Sequence, residues 1–220
     1  MAVKRAIPKD PAKVKRIMAA AMHIFAINGY RDAKTDAIAA TASVSKGLLF
    51  HYCGSKQRLY LATVQQATDT IITTISQQTF DVPDDLVTLM ARSARYKAAF
   101  GKDHPDEMKV MIEAYGALER LPAKLQSQMR ALYAQAMTIT RKMIGQVLDK
   151  MTLRPDIDRE ATVDLIMGVY NQIFTEFQAY MRANHAVQSM DDAEWVVERA
   201  KVYMGILEHG FVRPQADADN

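Results

Sequence analysis

TDAIAATASVSKGLLFHYCGSK, residues 35–56, is the stretch on which the reading of the whole chain turns. Thr35 to Ala42 and Ser45 to Tyr52 each have the length of about two helical turns. The tight turn at Ser43 separates them, and two short helices around such a turn have the size of a helix-turn-helix. Ile38, Ala39, Ala42, Val44, Leu48 and Leu49 can form its small apolar core. The other face of the second helix carries Ser45, Lys46, Gly47, His51 and Tyr52. A glycine there lets the backbone come close to a duplex, lysine can reach a phosphate or a guanine edge, and hydroxyl and imidazole groups can anchor phosphate oxygens. Short helices of this polarity also occur in proteins that never touch DNA, so the geometry alone leaves both readings open.

Upstream, a helix is expected from Pro11 to Asn28, with Asp10 as N-cap and Pro11 at the first helical position. Ile17, Ala20 or Ala21, Ile24 and Ile27 recur along it at helical spacing, and Asn28-Gly29 is its stop. Downstream, a fourth helix from Ser55 to about Gln78 carries the chain out of the N-terminal unit. After a loop at Phe80 to Pro83, helices are expected at Asp84 to Phe100, Asp106 to Leu118, Pro122 to Met151, Asp158 to Asn184 and Asp191 to Gly210. No stretch alternates with period two for long enough to argue a sheet. The expected class is therefore all-α: a three-helix helix-turn-helix domain over 1–56, a larger helical domain over 57–212, and a disordered tail at 213–220.

Charge is distributed unevenly along this chain of 220 residues, whose net charge is +3. The first 60 residues hold 11 Lys or Arg against 3 Asp or Glu, a net of +8, while the remainder nets −5. A basic segment on an acidic body suits a polyanionic partner, since each neutralised phosphate releases a counterion. A solvated basic face on an ordinary domain would look the same. No stretch reaches the roughly 18 uninterrupted apolar residues of a membrane span. The single cysteine, Cys53, rules out an internal disulfide and a multi-cysteine zinc site, which fits a reducing cytoplasm. No enzyme is implied: His51 and Cys53 diverge by about 200° on a helix, and the five histidines show no metal-ligand spacing. No cofactor and no metal are expected.

Ala20-Ala21, Phe25, Gly29-Tyr30, Ile38-Ala39, Val44-Ser45-Lys46-Gly47, Phe50-His51-Tyr52 and Ser55-Lys56 with Leu59 occur in the order and at the spacings of one family. Together they resemble the DNA-binding domain of the TetR (tetracycline repressor) family of bacterial regulators, over about the first quarter of the chain. The resemblance implies that Thr35 contacts phosphate at the start of the second helix. It implies that Ser45, Lys46, Gly47, Phe50 and His51 lie on the recognition helix, and that Tyr52 and Lys56 clamp the DNA backbone. Thr35 and Ser55 also read as N-caps, which is compatible with phosphate contact. Phe50 stands where the family has tyrosine, Cys53 where it has a core phenylalanine, and Ser43 where it has the turn glycine.

Apolar stripes extend the reading to the C-terminal half. Val163, Ile166, Tyr170, Phe174, Phe177 and Met181 form one stripe, Leu165, Val169, Ile173 and Tyr180 a second, and Val196, Ala200, Tyr203 and Leu207 a third, with Trp195 beside it. The family builds an intersubunit four-helix bundle from its last two helices, which implies a homodimer through Val163, Ile166, Tyr170, Phe177, Tyr203 and Leu207. An ordinary monomeric core is the other reading of the same stripes. Met90, Met108, Met111, Met129, Tyr115, Tyr133 and Met137, with Asn171 and Phe174, suit a pocket adapting to a hydrophobic ligand, although such residues also fill cores. The expected function is a transcriptional repressor that holds a double-stranded DNA operator and is released by an unidentified small-molecule effector, without membrane association. The alternative is a DNA-binding regulator or architectural protein with no ligand response.

Overall fold

The computed structural model describes residues 10–77, 81–183 and 194–210. The expected tail at 213–220, Phe80 and the expected start of the last helix at Asp191 lie outside these. The described residues form α1 (Pro11–Asp32), α2 (Thr35–Thr41), α3 (Lys46–Cys53), α4 (Lys56–Gln77), α5 (Leu86–Asp103), α6 (Pro105–Gly116), α7 (Ala123–Leu148), α8 (Arg159–Ala183) and α9 (Glu194–His209). A single 3-10 turn, Leu118–Arg120, joins α6 to α7, and no strand occurs among the described residues.

The start of α1 follows from its sequence: Asp10 caps it by accepting from the Ala12 amide at 2.9 Å, and Pro11 supplies a preset φ with no donor to lose. Its end does not fall at Asn28. Gly29 takes φ 61, and one further turn continues to Asp32. A side chain at Gly29 would be strained by that φ and would also meet the Glu113 carboxylate at 2.9 Å, so the glycine is where α6 approaches α1. The buried face of α1 is Ile17, Ala20, Ala21, Met22 and Phe25. Ile27, expected on that face, is exposed: the stripe centres on Ala21 and Phe25, and Ile27 falls past its edge.

Ile38, Ala39, Ala42 and Leu49 are buried between α2 and α3, as the pattern required, and Val44 and Leu48 are half-buried. Ser43, in the turn, has φ 53, the left-handed conformation in which an L side chain costs about 1 kcal/mol relative to glycine. Ser43 is exposed, so nothing else opposes its replacement. Ser43→Gly is expected to raise stability by about 1 kcal/mol, read as a higher urea midpoint at unchanged slope. An unchanged or lower midpoint would show that the turn is not strained.

The chain divides into two compact units. The first gathers α1 to α4 with residues 104–134, because α6 packs on both α1 and α4. His23 of α1 also hydrogen-bonds Asp106 of α6 at 2.9 Å. The second gathers α5, the C-terminal part of α7, α8 and α9. This division differs from the expected cut after residue 56, since contacts group α6 with the N-terminal helices although the chain reaches it only after α5.

In the second unit α8 and α9 run antiparallel. Tyr180 meets Trp195 at 5.1 Å between ring centroids, and one turn earlier on α8, Glu176 accepts from Arg199 at 2.9 Å and Tyr203 at 2.7 Å. These two donors, with Gln172, hold the Glu176 carboxyl down to about 2. Trp195 is half-buried, and its indole N–H has no hydrogen-bond partner among the described residues.

Candidate nucleic-acid interface

Ser45 is the N-cap of α3: its Oγ accepts from the Leu48 amide at 3.1 Å. Capping holds Ser45, Lys46 and Gly47 together at the exposed start of the helix. A Cβ added at Gly47 would meet nothing nearer than the Ser45 hydroxyl at 4.0 Å. Packing within this chain therefore gives no reason for a glycine there, whereas close approach by a partner does. Lys46 pairs with Asp36 of α2 at 2.9 Å, and both are solvent-exposed. Such a pair is worth about 0–1 kcal/mol, so a phosphate can compete for the ammonium at little cost. His51 is exposed and Phe50 half-buried on the same short helix.

Thr35 is half-buried at the first residue of α2, but the N-cap is Lys34, which makes no side-chain capping bond. Thr35 is thus not a cap, whereas the Ser55 hydroxyl does accept from the Arg58 amide at 3.2 Å and caps α4. Tyr52 requires a correction. It is only 8% exposed, and its hydroxyl accepts from the Asp10 amide at 3.1 Å, tying α3 to the start of α1. Its ring packs the unit's interior instead of standing at the surface as a clamp. Lys56 donates to the Arg31 carbonyl at 3.0 Å and sits 5.0 Å from the Tyr30 ring centroid. Partial burial lowers the pKa of its amine, with Asp32 opposing. Its other N–H groups remain to face a phosphate.

Lys34 was not among the expected contacts, yet it is exposed immediately before Thr35. A lysine at the mouth of α2 was the signal. Arg16 serves the unit internally, donating to the Ala42 carbonyl at 3.1 Å.

The expected pocket residues are divided between the two units. Met108, Met111, Tyr115 and Tyr133 belong to the first unit, where the rings of Tyr115 and Tyr133 meet at 4.8 Å. Met90, Met137, Asn171 and Phe174 belong to the second. Met90, Met108 and Met111 are buried, Tyr115, Tyr133, Met137 and Phe174 half-buried, and Asn171 exposed.

The expected dimer residues also need correction. Val163, Ile166 and Phe177 are 2%, 1% and 2% exposed in the single chain, so they pack its own core. Tyr170 turns the same way and accepts a hydrogen bond from Lys97 of α5. Tyr203 and Leu207 are half-buried, and the Met181 side chain is not described. The apolar residues left open on α8 and α9 are Leu165, Val202 and Ile206, at 56%, 54% and 40% exposure. Two stripes on α8 were legible, but which of them faces inward depends on where α5 and α9 lie.

Residues 17–63 match the family described as bacterial regulatory proteins, tetR family. The chain is 27% identical over 175 residues to the uncharacterized HTH-type transcriptional regulator YdeS of Bacillus subtilis, covering 76% of this chain and 81% of that one. It is 29% identical over 124 residues to the HTH-type transcriptional activator FasR of Mycolicibacterium smegmatis, covering 51% and 56%. The fold is similar to that of the transcriptional regulator FadR of Bacillus subtilis, solved in complex with stearoyl-CoA: TM-score 0.61, 14% identity, 90% of this chain and 100% of that one. No described helix is long and apolar enough to cross a membrane.

Proposed function

We propose that this chain, a transcriptional regulator of the TetR family, binds a double-stranded operator as a homodimer and represses until a small, partly hydrophobic effector releases it. The observation that carries the DNA contact is the open edge of α3, where capped Ser45, exposed Lys46 and an unpacked Gly47 lie side by side. A single α3 spans few base pairs, so two copies held about one turn of duplex apart are needed for specificity. Leu165, Val202 and Ile206 offer the open apolar surface for that pairing. The ligand bound in the solved FadR relative supports an effector with an apolar part. Release requires the effector to bind the DNA-free arrangement more tightly than the DNA-bound one.

Operator fragments selected from random duplex should bind with an affinity that falls as salt rises. Lys46→Ala should weaken that binding and flatten the log–log salt slope by about one unit, as expected for one phosphate contact. An unchanged slope in both Lys46→Ala and Lys56→Ala would remove the assignment. The activator FasR among the relatives favours a second reading, in which the bound dimer activates. A reporter placed behind the selected operator separates the two by sign: deletion of the regulator gene raises expression for a repressor and lowers it for an activator.

A further inference from the structure

Lys97 lies on the wrong face of α5 for a lysine. Met90, Ala94 and Gly101, at i−7, i−3 and i+4 from it, are all buried, so Lys97, itself half-buried, sits on the packing stripe. Lysines seldom occupy such positions without a paired charge. Across from it, Tyr170 falls between Ile166 and Ile173 on the inward stripe of α8. The Lys97 ammonium donates to the Tyr170 hydroxyl oxygen, in a partly buried setting. Among the described residues Lys97 has no carboxylate partner.

What this pair still offers is donors alone. An ammonium has three N–H groups and no acceptor, and a tyrosine hydroxyl that accepts from it keeps its own proton to give. A partly buried cluster with a positive charge and only donors left over is complementary to an anion, and such charge-assisted bonds are the stronger kind. Phe174, one turn along α8 from Tyr170, is half-buried, and Met90, two turns before Lys97 on its stripe of α5, is buried, so the helix faces that carry the pair are apolar beside it.

We propose that Lys97 and Tyr170 form the anion-binding end of an effector site in the second unit, so that the effector is an amphipathic anion: an apolar chain ending in a carboxylate or phosphate monoester. This rests on the reading of the chain as an effector-responsive regulator. It adds the sign of the effector's charge and the two residues that receive it.

The test uses the full-length protein and three probes of one chain length, decanoate, decyl phosphate and 1-decanol, with calorimetric binding and operator release as readouts. In the wild type at least one anion should bind ten times or more tighter than the alcohol, and the better of the two identifies the head group. Lys97→Met should bring anion and alcohol within about threefold of each other, and Lys97→Arg should keep the preference. Tyr170→Phe, which retains the ring, should reduce it severalfold without lowering the melting temperature enough to unfold the chain. Equal binding of alcohol and anions by the wild type, or a preference that survives Lys97→Met, overturns the anion site. If decanol then still releases the operator, the effector reading stands without it. Binding of none of the three also overturns the anion site, while DNA binding continues to rest on the Lys46 salt dependence alone.

Discussion

Gly47→Glu should weaken operator binding by at least about a hundredfold, or about 2.8 kcal/mol, while the melting temperature stays level or rises. The two halves of this expectation have separate causes. For the fold, glycine is a poor helix former and an acidic side chain in the first turn interacts well with the helix N-terminus, so the substitution favours α3. Nothing within the chain stands close enough to Gly47 to resist it. For DNA, the new side chain fills the space a duplex backbone would enter and sets a carboxylate against phosphate. Electrophoretic mobility shift and thermal melting on the same preparation provide the check. Retained affinity would mean that α3 does not meet DNA through this edge; lost affinity with lost melting would mean that Gly47 serves the fold.

Ile206→Glu should yield a folded monomer whose operator affinity falls by on the order of a thousandfold, toward the level of non-specific binding. Ile206 is 40% exposed in the single chain, so a glutamate there can stay hydrated until a partner covers it. Covering it then leaves an unpaired buried charge, which costs several kcal/mol per site, and a twofold interface meets each such site twice. Val202→Glu, four residues before Ile206 on the same face of α9, should act alike. Sedimentation velocity at micromolar concentration distinguishes the outcomes. A variant that remains dimeric would place the interface elsewhere, whereas the same charge at Ile166 or Phe177 would unfold the chain and say nothing of assembly.

Local rules in the sequence carried most of the fold. Asp10-Pro11 marked the start of α1, Ser45 the start of α3, and the spacing of Ile38, Ala39, Ala42 and Leu49 marked a packed pair of short helices. Each of these is decided within a few residues. What was not legible depended on partners distant in the chain. Tyr52 reads as a polar-tipped surface residue until the Asp10 amide, 42 positions away, is brought to its hydroxyl. Val163 and Leu165 are both apolar on one helix, and only the placement of neighbouring helices turns the first inward and leaves the second exposed. Lys97 was legible in principle, as a charge inside the stripe of Met90, Ala94 and Gly101, but stripes are sought by their apolar members and the exception is passed over.

The chain has a single tryptophan, half-buried Trp195 of α9, and the exposed Val202 and Ile206 follow it at i+7 and i+11. Excitation at the red edge of the absorption band therefore addresses one indole and no other. With its N–H unpartnered among the described residues and the Tyr180 ring tilted against it at 5.1 Å between centroids, its emission depends on how much water reaches this edge of the helix pair. Subunit exchange in the proposed dimer could then be followed by intrinsic fluorescence without any attached dye, dilution of the wild type giving a red shift that Ile206→Glu shows from the outset.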